Sequence, residues 1–406
     1  MKKVQIRPAD DPAFEKGIGD LRVVAYPHLP EVRDSSFYDF VYNWFEDHPL
    51  ADEVYRWIAV TEDGEVVGHL AALPQYYRVN GQRVVAHTPG DYMVDPRYGF
   101  YALSLMRKFF RTCENCVACD MVPATITVET RLGAEVAGEL AYAAKLLNVG
   151  RLPVPPLPGP VARLLNLQER ELPVPQGYLS NRGEIGRPEG SQNLEEEEVP
   201  VTRPRLPLPG PVKNLLNGSL EKIDDALQSA FGNDLEVRTI EEFDDSFDEL
   251  FEEVAAAVPC TAERDVAFLR WRYGPGCPQH PVTVFGVRGR GTLLGYAVLK
   301  VPTGGIDGYI LDLSVLPGRQ DVARALLRET IRHFRKVGAQ IIRYRYQESL
   351  TSARSRDLRR LGFFYRHGRS NKLLTRFADT RQHKMARHVS NWAYTVGDGE
   401  AAFWMR

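Results

Sequence analysis

The chain has 406 residues, too many for one ordinary core, so two domains are expected. Its 44% hydrophobic and 26% charged residues belong to a folded protein rather than a disordered one, and a formal net charge of −2 offers no global attraction to nucleic acid or an anionic membrane. No apolar run is long enough to span a bilayer, residues 1–7 (MKKVQIR) lack the apolar stretch of a secretory signal, and five cysteines fit a reducing cytoplasm, the expected location.

Residues 4–9 read as a first strand, followed by helical patterning to about Phe45. Residues 57–61 (WIAVT) and 66–73 (VVGHLAAL) flank an acidic Gly-containing turn and predict a hairpin. An extended segment over 84–94 leads into a helix at 100–110, with Phe100, Leu103, Met106 and Phe110 on one face. A strand over 117–122, a brief helix closed by Arg131-Leu132-Gly133 and a long strand or ribbon over 135–147 complete the first half.

Cys113, Cys116 and Cys119 are spaced C-x-x-C-x-x-C, but no fourth ligand is near, and the run straddles a helix end and a strand. Half-buried cysteines are the better reading, and no metal is expected.

The second half repeats the order. A strand over 235–239 precedes a helix over 243–257, then a hairpin of 282–287 and 293–301. A strand over 309–316 leads to a helix over 321–337, striped by Leu326, Leu327, Ile331 and Phe334 and closed by Gly338. A strand over 341–346, a helix over 352–361 ending at Gly362 and closing strands over 363–377 follow. The division is residues 1–150 and 218–377, a linker over 151–217 and a tail over 378–406. The linker is Pro-rich, carries an acidic run at 195–198, and is expected to be mobile over about 167–204. It contains an echo, Leu157-Pro158-Gly159-Pro160-Val161 recurring as Leu208-Pro209-Gly210-Pro211-Val212.

Residues 92–98 (YMVDPRY) resemble the central strand and following turn of the GNAT (Gcn5-related N-acetyltransferase) superfamily. That resemblance implies an α/β fold of two GNAT-like domains, each a mixed sheet flanked by helices. It also implies acetyl-CoA as co-substrate, with the pyrophosphate held by backbone N–H groups at a helix N-terminus, where the dipole favours an anion. The family pattern at that turn is Gln/Arg-x-x-Gly-x-Gly/Ala. Residues 97–102 (RYGFYA) put Phe100 at the expected glycine, or shorten the loop and keep Gly99. The implied cofactor residues are Met93, Val94, Arg97, Gly99, Phe100, Tyr101 and Ala102. In the second half, 320–325 (QDVARA) matches with Ala323 for glycine, making Val315, Gln320, Ala323 and Ala325 a possible second turn, although Asp321 would stand near a phosphate.

The family's Tyr-x-x-x-Gly-Phe, whose tyrosine protonates the departing thiolate, is matched only in part. Residues 129–134 (ETRLGA) and 358–363 (LRRLGF) keep the Leu-Gly turn and lack the tyrosine. Asp91 is the candidate base for the amine, with Asp312 as its counterpart; for each the alternative is a hydrogen-bonded strand carboxylate. A backbone N–H near Val94 or Val315 would polarise the thioester carbonyl.

Residues 267–273 (AFLRWRY) form the densest aromatic and basic patch. Arg270, Trp271 and Arg272 could line an acceptor pocket, or the patch could dock a helix on the sheet. Arg328, Arg332, Arg335 and Lys336 read as a solvated helix face. The expected function is transfer of an acyl group from acetyl-CoA to an amine of a small molecule or sugar, with the donor in the first module. The alternatives are an aminoacyl transferase resembling the FemAB group and a silent acyl-CoA-binding or scaffold protein.

Overall fold

The computed structural model describes residues 3–25, 35–149, 210–229, 235–303, 305–366 and 370–400. Residues 167–204 and the first copy of the echo lie outside the described residues.

In the first sheet, β1 (Val4–Pro8), β2 (Tyr55–Thr61), β3 (Val66–Val79) and β4 (Gln82–Val94) pair antiparallel in chain order. Asn80 and Gly81, both at positive φ, supply the tight turn between β3 and β4. The helical stretch expected up to Phe45 comprises α1 (Glu15–Ala25) and α2 (Ser35–Glu46). After β4, α3 (Tyr101–Thr112) returns the chain to β5 (Cys116–Asp120), which lies parallel to β4. The buried face of α3 is Leu105, Met106, Phe109 and Phe110, so the expected stripe is rotated, and Phe100 is 76% exposed. Next come α4 (Pro123–Arg131) and β6 (Glu135–Glu139).

The segment expected as a long strand or ribbon over 135–147 breaks at Leu140, whose N–H bonds the Asn371 carbonyl at 2.9 Å. Its second part, β7 (Ala141–Leu146), joins the other sheet. That sheet holds β8 (Val237–Thr239), β10 (Thr283–Gly289), β11 (Thr292–Lys300) and β12 (Asp307–Val315), all antiparallel, then β13 (Ile341–Tyr346), parallel to β12. Beyond β13 lie β7 and β14 (Phe364–Tyr365). The exchange is reciprocal, because β15 (Lys372–Arg376) inserts between β5 and β6 of the first sheet. Sheet membership therefore does not follow the division at 150 and 377. Each half lends a strand to the other, and alternation within a strand cannot reveal which sheet receives it.

Two short strands, β9 (Cys260–Ala262) and β16 (Trp392–Ala393), extend the far end of β3. Helix α5 (Gly210–Ser229) begins inside the segment read as linker. Asp224 on it pairs with the buried Lys145 of β7 at 2.6 Å and with Arg335, so Arg335 anchors a helix instead of facing water. Helices α6 (Ser246–Ala257) and α7 (Val266–Tyr273) precede β10. After β12 comes α8 (Gln320–Lys336), which buries its four expected core residues, and Gly338 follows it at φ 78. Helices α9 (Ser355–Arg360) and α10 (Thr380–Ala386) complete the described elements. Among the described residues no helix is long and apolar enough to cross a membrane.

Candidate functional site: a splayed strand pair in each module

The β3–β4 register slips between His69 and Ala71, and Asp91 stands opposite the slip at φ 46. A left-handed aspartate is costly unless its surroundings hold it there. Arg22 of α1 donates through Nη2 at 2.5 Å, and His69 Nδ1 lies 3.0 Å from the same carboxylate oxygen. Burial alone would raise this carboxyl, but the Arg22 and His69 charges outweigh it and hold it well below the usual range. This ion-paired, buried carboxylate has the geometry of the alternative reading, a hydrogen-bonded strand carboxylate, and it stands at the bulge.

On the other side of β4, β4 and β5 part before the bulge is reached. Their only register pair is His87 with Cys116, followed by a Thr88 hydroxyl bond to the Val117 carbonyl at 2.6 Å. The strands then run on to Val94 and Asp120 without pairing. The Asp95 N–H bonds Val67 of β3 at 2.9 Å, so ladder alternation turns the Val94 N–H toward β5. The second sheet repeats this geometry. Pairing of β12 with β13 stops at Ile310 with Tyr344, and Leu316 N–H bonds Leu294 of β11 at 2.9 Å. Val315 is thus the counterpart of Val94.

The two splays differ in what fills them. The Val315 N–H already bonds the Thr351 carbonyl at 2.9 Å, and the Gly318 N–H bonds Leu350 at 3.1 Å. Gln320 Nε2 bonds the Ser352 carbonyl at 3.0 Å, and Val315, Gln320, Ala323 and Ala325 are all buried. The second turn is therefore covered by its own sheet's loop.

Residues 394–398 also enter this splay. Thr395 bridges Tyr346, the Gln347 N–H bonds the Tyr394 carbonyl at 2.7 Å, and a Cβ on Gly397 would stand 2.6 Å from the Leu311 carbonyl oxygen. Arg264 pins the segment through Asp398 at 2.5 Å and reaches Asp312 at 3.4 Å. Asp312 also accepts from the Tyr296 hydroxyl at 2.7 Å, so the counterpart of Asp91 is a buried structural carboxylate too. Glu400, further along, reaches the base of the first splay, where its carboxylate accepts from the Asp91 N–H at 3.5 Å.

In the first module the turn after β4 stays accessible. Asp95 accepts from the Arg97 N–H at 2.8 Å and from Arg97 Nη2 at 2.7 Å, which also reaches Glu65 at 2.9 Å. The acid of the turn is thereby neutralised locally. Gly99 has φ −50, and a Cβ there would meet only Pro96 O at 3.6 Å, so the turn does not itself require glycine. Phe100 caps α3 without a side-chain bond, and the first turn of α3 presents the Tyr101 N–H, while the Ala102 N–H bonds the Gly99 carbonyl at 3.1 Å. Val94, Arg97, Gly99, Phe100, Tyr101 and Ala102 thus gather at one turn. Met93 does not, because its side chain is fully buried on the other face with α1 and α2.

Of the expected acceptor residues, Trp271 and Arg272 are buried and Arg270 is exposed. Trp271 stacks on Trp44 of α2 with ring centroids 4.2 Å apart, and each indole N–H bonds the other residue's carbonyl, at 2.7 and 2.8 Å. Arg272, with no exposed surface, donates to the carbonyls of Gly397 and Gly399. Arg270 donates to the Phe243 carbonyl at 2.7 Å. Trp271 thus joins the modules and Arg272 holds the C-terminal segment, while Arg270 bonds within the second module. Among the described residues no group of three or more His, Cys, Asp or Glu could hold a metal ion.

Glu129, in the last turn of α4, escaped the sequence reading except as the place where a tyrosine is missing. It is 1% exposed, and neither carboxyl oxygen has a hydrogen-bond partner among the described residues. Burial, reinforced by Asp120, raises it well above the usual carboxyl value.

Solved structures with this architecture define the fold as that of the GNAT superfamily, carried twice in one chain. A GCN5-related N-acetyltransferase from Anabaena variabilis superposes with a TM-score of 0.53 at 13% identity, covering 95% of this chain and 75% of that one. One from Kribbella flavida gives 0.52 at 14%, covering 95% and 74%. Saccharomyces cerevisiae N-myristoyltransferase with bound myristoyl-CoA gives 0.50 at 12%, covering 93% and 80%. No protein-family model and no curated protein matches the sequence.

Proposed function

We propose that the chain is an acyl-CoA-dependent N-acyltransferase whose donor site is the first splay, with acetyl-CoA as donor and an amine of a small molecule or sugar as acceptor. The supporting observation is the contrast between Val94 and Val315. These are equivalent strand-edge amides, one beside an accessible helix N-terminus and the other bonded to Thr351 and covered. In this reading the first turn of α3 receives the pyrophosphate, with Arg97 at its mouth. The Val94 N–H donates to the thioester carbonyl and stabilises the oxyanion that forms when the amine adds. Asp91 is a positioning residue, since it holds the bulge within the stretch of β4 that runs apart from β5.

The test is a thermal-shift series with acetyl-CoA, longer acyl-CoAs and free CoA, beside an assay of CoA release. A ligand at a hundredfold excess over its Kd stabilises by about 2.7 kcal/mol. Val94→Pro removes one N–H that takes no ladder bond. It should lower turnover about 10²–10³-fold, the usual loss for one oxyanion donor, while CoA still binds. Unchanged turnover in that variant places the chemistry elsewhere. A silent acyl-CoA-binding protein is the second reading, favoured by the engagement of Asp91 in ion pairs. Binding of CoA without its release from acetyl-CoA would select it.

A further inference from the structure

The formal net charge of −2 conceals two opposed concentrations of charge in the second module. Residues 236–253 hold nine Asp or Glu and one Arg, whereas residues 319–366 hold thirteen Lys or Arg and four Asp or Glu. The fold puts the two on opposite faces of one sheet. Helix α6 packs through Leu250 and Val254 on the side of Val298, Tyr309 and Leu311. Helices α8 and α9 pack through Leu326, Ile331 and Leu358 on the side of Ala297, Leu299 and Ile310. Successive residues of β11 and β12 thus alternate between two helix layers, each with charge of one sign on its outer surface.

Neither surface is neutralised from within. Glu236, Asp244 and Glu252 pair with Arg238, Arg288 and Arg78. The exposed Glu241, Glu242, Asp245, Glu249 and Glu253 make no ion pair among the described residues. On the other face Asp321, Glu329 and Asp357 are taken by Arg319, Arg332 and Arg324. Arg354, Arg356, Arg359 and Arg360 are exposed and pair with no acid among the described residues. Like charges held together repel one another, a cost that an opposing surface would relieve.

The acidic face also has a shaped receptor. A cleft of about 390 Å³ between α6 and β11 is lined by Glu249, Leu250, Glu253, Thr292, Leu293 and Leu316. Exposed carboxylates beside buried leucines suit a guanidinium on an apolar stem. Glu249 and Glu253 are four residues apart on a helix, a rise of about 6 Å. Arg356 and Arg360 have the same spacing on α9, so two arginines can face two glutamates.

We propose that a second copy of this chain sets its α9 arginines on the acidic cleft of α6, joining copies head to tail. Both complementary surfaces belong to one chain, so the partner is the chain itself. Because they lie on opposite sides of a sheet, a pair of copies leaves one basic and one acidic face free. Such a contact extends into a ring or an open chain instead of stopping at two. It is electrostatic and exposed, so salt weakens it, the screening length falling from about 10 Å at 0.1 M to about 3 Å at 1 M.

Sedimentation velocity of the full chain over a concentration series tests this. Wild type should grow past the dimer in about 0.05 M salt and return to monomer in about 0.5 M. Glu249→Arg with Glu253→Arg should stay monomeric, and so should Arg356→Glu with Arg360→Glu. Mixing the two doubly substituted proteins should restore assembly, because each contact again joins opposite charges. A variant that had merely lost its fold would not be rescued in this way.

The wild-type series decides without any variant: a chain that is monomeric at every concentration in low salt overturns the proposal. A dimer that grows no further overturns it too, as does assembly that salt leaves unchanged. Retention of a labelled single-stranded RNA by monomeric wild type, lost in Arg356→Glu with Arg360→Glu, would overturn it in favour of a polyanion on the basic face.

Discussion

Trp271→Ala tests whether the aromatic and basic patch is structural. The indole is buried in a stack on Trp44, and removal of a buried tryptophan costs about 3–5 kcal/mol. The stack and the reciprocal N–H bonds place this site toward the upper end, since the Trp44 carbonyl loses its indole donor and the Trp44 ring its stacking partner. Strand exchange makes both modules one melting unit. At about 2.1 cal/mol/K per residue, roughly 320 folded residues give an unfolding entropy near 0.7 kcal/mol/K. The melting temperature should then fall by about 4–8 °C. Trp271→Phe keeps a stacked ring and loses one bond of about 1 kcal/mol, so it should fall by only about 1–2 °C. Differential scanning calorimetry measures both, beside kinetics at saturating acetyl-CoA. An unchanged melting temperature with a raised acceptor KM would refute the reasoning and restore Trp271 to an acceptor pocket.

Gly99→Glu should leave the melting temperature of the ligand-free protein within about 1 °C, because its backbone is ordinary and its Cβ space open, yet abolish stabilisation by CoA through like charge at the phosphate turn. Loss of fold, or CoA binding unchanged, would refute that placement. Glu129 has a folded pKa above the unfolded value of about 4.3, so its protonated form contributes stability at low pH that is lost as pH rises toward the folded value. The Glu129→Gln variant should match wild type near pH 4 and become the more stable protein by pH 8. A gap that shrinks with rising pH would show the carboxyl ionised in the fold. Residues 1–160 and 205–406 made as separate chains should each fail to fold and should fold when mixed, followed by circular dichroism and gel filtration. Independent folding of either would refute the obligate exchange.

What the sequence disclosed was mostly local. The stripe of α8 is a run of apolar residues at helical spacing, and its four core residues all lie buried. The turn after Val94 was legible because strand, Asp-Pro and helix follow within a few residues. The role of Asp91 was not, because Arg22 and His69 approach it from α1 and β3, and no spacing rule couples residues so far apart. Trp271 stood between two readings for a similar reason. An indole that stacks on a substrate and one that stacks on Trp44 have the same sequence signature. The segment over 135–147 kept its extended character in both parts, but the change of sheet at Leu140 depends on strands more than two hundred residues away.

The exchanged strands also set an order of events during synthesis. The gap between β5 and β6 is filled only by β15, whose first residue lies about 250 positions after the end of β5. At about 5–20 residues per second, the ribosome needs roughly 12–50 s to cover that distance. Through this interval the nascent first sheet presents unpaired edges at β5 and β6, and open edges invite pairing with other chains. Production of this protein should therefore depend on whatever shields those edges until Lys372–Arg376 has left the ribosome. A faster-translated message or an overloaded chaperone supply would be felt first as aggregation, with the finished fold no less stable than before.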